Sequence, residues 1–264
     1  MSATIQRLRP ADLPDELIAR GRYWATTAEL AELTGQSRAV LHTSLSRLAR
    51  SRRLFSPARG LYVMVPAEYR SWGVVPADWF VDAMMRHLDR EYYVSFLSAA
   101  AIHGAAHQAP QTFRIVTSKP LADRDIERVR LRFTTSRYVS EMSTERVTVH
   151  TGYLTVATRE TTAVDLVWRY RLGGGVSNVA TVLIELGELD GEALARLAPV
   201  RGRATVRRLG WLLERFRSDV DTHWLRVVAR PEEGEPVLLT SGRRRGHLDH
   251  GWGVRINAEI EPDA

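Results

Sequence analysis

The chain has 264 residues, 44% hydrophobic and 26% charged, enough to bury two compact cores and too apolar for a disordered polymer. Cysteine is absent, which excludes disulfides, thiolate zinc sites and cysteine nucleophiles. The formal charge is +6, and residues 1–64 alone carry ten arginines against five acidic residues, leaving +1 for the remainder. Of the 37 basic residues only Lys119 is lysine, a bias that GC-rich coding explains, so the placement of arginine informs more than its total. No window reaches about 18 uncharged apolar residues, and MSATIQRLRP lacks the apolar core of a signal peptide. A cytoplasmic chain without membrane attachment is expected.

Residues 11–21 read as a first helix, with Asp12 as cap, Pro14 in the first turn, Leu13, Leu17 and Ile18 facing inward and Gly21 at the end. Thr26 and Glu29 then have the spacing of a capping box, and Ala28, Leu30, Ala31 and Leu33 give about two helical turns before Gly35 breaks them. A second helix opens at Ser37, where Val40, Leu41, Leu45 and Leu48 are expected to form its buried face. Its other face presents Arg38, His42, Thr43, Ser46, Arg47 and Arg50. Two apolar runs follow, Leu54-Phe55 and Leu61-Tyr62-Val63, joined by the turn-forming Ser56-Pro57-Ala58-Arg59-Gly60. Helix, turn, helix and hairpin make a winged helix-turn-helix.

Between Gln36 and Gly60 there are six arginines (38, 47, 50, 52, 53 and 59) and no acidic residue. A structural amphipathic helix mixes signs on its wet face, so a one-sign face points to a polyanionic partner. Ser37, Arg38, His42, Thr43, Ser46 and Arg47 are expected in the major groove of double-stranded DNA. Arg50, Arg52, Arg53 and Arg59 are expected on phosphates or in the minor groove.

The expected fold is α+β: a winged helix-turn-helix domain over 1–70, then a larger mixed α/β domain over 71–264. Pro76 to Leu88 reads as a helix with Trp79, Phe80, Ala83, Met84 and Leu88 on one face. YYVSFLSAAAIHGAA, residues 92–106, reads as a short apolar stretch leading into a close-packing helix at the centre of this domain. Residues 113–116, 129–133 and 147–149 read as strands, and the alternation in VRLRF gives one wet, arginine-bearing face. TVATRETTAVDLVWRYRL reads as a strand end entering a helix capped by Thr158 or Thr161 and stopped at Gly173-Gly174-Gly175. Helical patterns run from 176 to about 229, and the tail has short β-like runs.

This order resembles the AbiEi antitoxins, the DNA-binding halves of bacterial type IV toxin–antitoxin pairs. The resemblance is carried by SAAAIHG, ATRETTAVDL and RRLGWLLE and covers roughly residues 10–230. It implies a winged-helix transcriptional repressor of its own promoter, a larger domain needed for antitoxicity, and a nucleotidyltransferase-like toxin countered without a stable complex. Winged-helix repressors often bind inverted repeats in pairs. No heptad or dimerisation helix is visible, so a monomer pairing only on DNA and a weak dimer both stay open.

Other constellations carry less. His103 and His107 are four apart, but Gly104 between them ends the helix, and His103 reads as a capping or packing residue. His247, Asp249 and His250 follow three arginines whose charge opposes a cation, and read as a solvated loop. Glu160 suits the first turn of a helix, where it favours the dipole. No metal or cofactor and no enzymatic activity are expected. The enzyme alternative, a DNA-tethered nuclease, requires second-domain carboxylates such as Glu160 and Asp165 to converge with Lys119. Arg201, Arg203, Arg207 and Arg208 are a candidate second basic surface, against a solvated helix face. A third alternative is direct toxin binding through 201–217 or the helix in 92–106.

Overall fold

The computed structural model describes residues 7–106 and 110–263. His107, and with it the histidine pair, lies outside them.

The N-terminal part runs α1 (Leu13–Ala19), β1 (Trp24–Thr26), α2 (Thr27–Thr34), α3 (Arg38–Arg50), β2 (Leu54–Ala58) and β3 (Leu61–Met64). Both halves of the capping box form: the Thr26 N–H donates to Glu29 Oε2 at 2.7 Å, and the Glu29 N–H donates to Thr26 Oγ1 at 3.3 Å. Gly35 ends α2 in the left-handed region at φ +65°, which glycine adopts without steric cost. Ser37 holds the N-cap position of α3, but its hydroxyl makes no capping bond. Leu41, Leu45 and Leu48 are buried, whereas Val40, expected among them, is 53% exposed. The stripe closes at Leu41, and Val40 lies about 100° round the helix from it.

The short strand β1 pairs with β3, giving the sheet order β1-β3-β2. Its two faces serve two cores. Leu54 and Met64, opposite each other in the register, pack on α1–α3; Phe55 and Val63, the next pair, pack into the core of the larger domain. A strand apolar on both faces, as LYVM is, requires cover on both sides.

The larger domain is built on a six-stranded mixed sheet of order β6-β7-β5-β4-β9-β8. Its strands are β4 (Tyr92–Val94), β5 (Phe113–Thr117), β6 (Arg124–Ile126), β7 (Val129–Thr135), β8 (Thr144–Val149) and β9 (Gly152–Ala157). The three expected strands are β5, β7 and part of β8; β4 and β6, three residues each, left no periodicity to read. The expected helix over 76–88 is divided into a 3-10 turn at Ala77–Trp79 and α4 (Val81–His87). The remaining helices are α5 (Phe96–Ile102), α6 (Arg159–Trp168), α7 (Val176–Glu185), α8 (Gly191–Leu197), α9 (Arg203–Phe216) and α10 (His223–Ala229). Helix α6 is capped by Thr158, whose Oγ1 accepts from the Thr161 N–H at 3.3 Å, and is buried without a break from Thr161 to Val167. It packs on α5, α8 and α9 and is the axis of the domain. The tail forms a small sheet, β10 (Val237–Leu238), β11 (His247–Asp249) and β12 (Val254–Ile256), ordered β10-β12-β11.

Candidate nucleic-acid interface

Helix α3 leans on the core through its leucines, which leaves Ser37, Arg38, His42, Thr43, Arg47 and Arg50 exposed and Ser46 half-buried. Arg38, Arg47 and Arg50 make no ion pair or hydrogen bond among the described residues, and the same holds for the exposed Arg59 side chain at the hairpin turn. The acids of this part of the chain are elsewhere. Glu16 pairs with Arg20 at 3.3 Å, Glu29 with Arg22 at 2.7 Å, and Asp15 with both Arg53 and Arg70 at 2.6 Å. Carboxylates are thus sorted onto α1 and α2, and uncompensated guanidiniums onto α3 and the turn.

Two of the expected phosphate contacts are engaged within the molecule. Arg53 is held by Asp15, and Arg52, at φ +56°, donates through Nη1 to the Ser71 carbonyl at 2.9 Å. The hairpin is also anchored. The His87 imidazole lies with Nε2 2.9 Å from the Arg59 carbonyl oxygen, Arg124 donates to the Pro57 carbonyl, and the Thr27 N–H donates to the Gly60 carbonyl at 2.9 Å. Beside it, His150 stacks on Trp79 at 3.9 Å and meets the Tyr23 hydroxyl at 2.9 Å. The wing is therefore fixed against the larger domain, with only the Arg59 side chain free to reach outward.

Of the candidate second basic surface only Arg203 is exposed; Arg201 and Arg207 are buried and Arg208 is half-buried. Arg207 is fully buried, and its guanidinium donates to the carbonyls of Ala229, Arg230, Glu233 and Glu235. Arg208 donates to the Leu238 carbonyl at 2.7 Å, and Arg203 donates to the Glu233 carbonyl at 3.1 Å. These arginines fasten the 229–239 segment to α9. The solvated-face reading holds only for Arg203, because a guanidinium bonded to several carbonyls, as that of Arg207 is, is satisfied out of water. Helices α5 and α9, considered for toxin binding, likewise turn most of their residues into the core.

Arg201 is buried too, in a polar centre that sequence reading missed. Its Nε donates to Asp165 Oδ1 at 2.8 Å, Nη1 to Ser136 Oγ at 2.6 Å and Nη2 to the Tyr93 hydroxyl at 2.6 Å, and its guanidinium lies 4.1 Å from the Trp168 ring centroid. Asp165 Oδ2 accepts from Tyr93 at 2.9 Å and Ser95 at 2.7 Å. Burial raises the Tyr93 phenol far above its ordinary range, and the Asp165 charge adds to that, so the hydroxyl stays protonated and donating. Phe96, directly after Ser95, takes φ +55°, a conformation that costs a bulky residue on the order of 1–3 kcal/mol and turns the chain sharply from β4 into α5. The available signal was one acidic residue inside the otherwise apolar AVDLV.

His103 ends α5 and places Nε2 2.7 Å from the Ala157 carbonyl, a packing role. Glu160 sits in the first turn of α6. Among the described residues, no group of three or more histidine, aspartate or glutamate side chains is placed to hold a metal ion.

Residues 93–215 match the family of the AbiEi antitoxin C-terminal domain. Across that span, a little under half of the chain, it is similar to the AbiEi antitoxins. The three motifs SAAAIHG, ATRETTAVDL and RRLGWLLE lie on α5, α6 and α9, with α6 packed against both of the others. No curated protein matches the chain. Among solved structures, the RV2827C protein from Mycobacterium tuberculosis is similar in fold, with a TM-score of 0.67 at 16% identity over 92% of this chain and 89% of that one. No helix among the described residues is long and apolar enough to cross a membrane.

Proposed function

We propose that this protein is an antitoxin and a cytoplasmic DNA-binding autorepressor of its own operon, and that it belongs to a type IV pair whose toxin is nucleotidyltransferase-like. The likeness of residues 93–215 to the AbiEi antitoxin C-terminal domain supports the antitoxin role and, with it, a toxin partner. The DNA-binding part rests on one observation: Arg38, Arg47 and Arg50 on α3, with Arg59 at the hairpin turn, have no carboxylate partner among the described residues, while Asp15, Glu16 and Glu29 are paired elsewhere. Duplex DNA is the polyanion that a helix of this kind enters through the major groove. Ser37, Arg38, His42 and Thr43 on the first turns face base edges, Ser46 and Arg47 follow along the groove, and Arg50 and Arg59 meet phosphates. Arg52 and Arg53 position the hairpin and make no DNA contact. The protein binds an inverted repeat, as monomers that pair on the DNA or as a weak dimer.

Six phosphate-contacting arginines would give a slope of log affinity against log salt of about −5, whereas two, Arg50 and Arg59, give about −2. A salt-series titration against DNA from the protein's own promoter and against a scrambled duplex tests this. Preference for the promoter with a slope near −2 supports the reading. Equal, weak binding to both duplexes overturns it and leaves the winged helix as a protein-facing module. Co-expression with the neighbouring toxin gene tests the type IV part: restored growth without a co-purifying complex is expected, and a stable stoichiometric complex overturns it.

A further inference from the structure

Val40 is the one large apolar side chain exposed on α3. A solitary exposed valine is ordinary, but this one has company. Ala39 beside it is exposed, and so is Thr43 one turn on, with its hydroxyl directed back at the Ala39 carbonyl, 3.5 Å away, which leaves its methyl at the surface. The methyl groups of Ala39, Val40 and Thr43 thus form an apolar patch between Arg38 and Arg47, on a face otherwise polar and basic. The patch lies in the N-terminal half of the helix, the part that meets base edges in helix-turn-helix complexes.

We infer that this patch recognises the C5-methyl group of a pyrimidine in the major groove, with Val40 as the specificity-determining residue. The inference rests on the DNA-binding reading above. Thymine presents this methyl beside its O4, and apolar side chains recognise it by contact. 5-Methylcytosine presents the same group. Water leaves both Val40 and the methyl on contact, so the flanking arginines fix the register and the methyl patch selects the base.

The test uses the full chain and promoter duplexes in which each thymine, on either strand, is replaced in turn by deoxyuridine, a change that removes only the methyl. At one position in each half-site the wild-type protein is expected to bind about three- to tenfold more weakly. Val40→Ala is expected to bind the two forms equally at that position, with an unchanged melting temperature because the side chain is exposed. Cytosine and 5-methylcytosine at the same position separate the sources. A wild-type preference for 5-methylcytosine that Val40→Ala loses extends the readout to methylated DNA; no such preference, with the thymine effect intact, confines it to thymine. Wild-type affinity insensitive to deoxyuridine at every position, or a thymine preference that survives in Val40→Ala, overturns the inference. Equal wild-type binding to promoter and scrambled duplexes instead removes the DNA-binding reading, and the inference with it.

Discussion

Arg201 and Asp165, 36 residues apart, meet inside the larger domain with 1% and 0% of their side chains exposed and Nε 2.8 Å from Oδ1. Removing one partner leaves an uncompensated charge out of water, so Arg201→Ala and Asp165→Ala are each expected to cost about 3–5 kcal/mol in urea unfolding. The double change Arg201→Met with Asp165→Leu is expected to be less destabilised than either single change, since it buries no charge. A single substitution costing under about 1 kcal/mol, the range of a surface pair, would contradict the buried-centre description.

Gly210 sits mid-helix on α9 because the Trp252 ring lies on it. A Cβ built there would come within 2.0 Å of the indole, and Trp252 is fully buried. Helix propensity favours Gly210→Ala by about 1 kcal/mol, but displacing a packed tryptophan costs about 3 kcal/mol or more. The second effect wins: a net loss of about 2 kcal/mol is expected, with changed tryptophan fluorescence. A stabilised variant would place Trp252 elsewhere.

Arg207 ties α9 to the 229–235 backbone through four carbonyls. Arg207→Met keeps the aliphatic stem and orphans those acceptors, at a cost of about 1–3 kcal/mol for each one left buried. Limited proteolysis is expected to cut the variant near residues 230–246 before any other site, while the wild type resists there. Identical digestion patterns would argue against the clamp.

Arg47 and Arg53 are six residues apart and have opposite fates. Arg47→Ala is expected to weaken promoter binding by about 1–3 kcal/mol if the residue reads a base, or to reduce the salt slope by about 1 if it meets a phosphate. Arg53→Ala loses a half-exposed pair with Asp15, is expected to lower stability by under about 1 kcal/mol, and should leave DNA affinity unchanged. Reversed effects in binding titrations and thermal melts would mean that the two residues have exchanged roles.

Glu29 couples the start of α2 to pH. Burial raises its pKa, but the Thr26 N–H and hydroxyl and the Arg22 guanidinium outweigh that and hold it below 4.5. A lowered folded-state pKa means the contribution is complete above 4.5 and fades as pH falls through the folded value. Glu29→Ala is therefore expected to cost about 1 kcal/mol at pH 7 and progressively less under acid. A gap between variant and wild type that stays constant from pH 7 to pH 3 in urea unfolding would exclude the carboxylate as the capping group.

The winged helix was legible in the chain because its signals are local. A capping box spans four residues, Gly35 needs only its own φ, the leucines of α3 repeat at helical spacing, and the acid-free run from Gln36 to Gly60 needs no folding to be seen. The α+β class and three of the larger domain's strands followed from alternation in the same way. Which arginines are free was decided only in three dimensions. Arg47 and Arg207 look alike in sequence, each among other basic residues on an amphipathic helix. One ends in solvent and the other among carbonyls more than twenty residues away. The Asp165–Arg201 centre, the exposure of Val40 and the two-sided burial of the β1-β3-β2 sheet are likewise tertiary outcomes. The physical reason is common to all of them. Helix and turn propensities act over a few residues of backbone, whereas the desolvation of a charge depends on partners that the chain brings together only by folding.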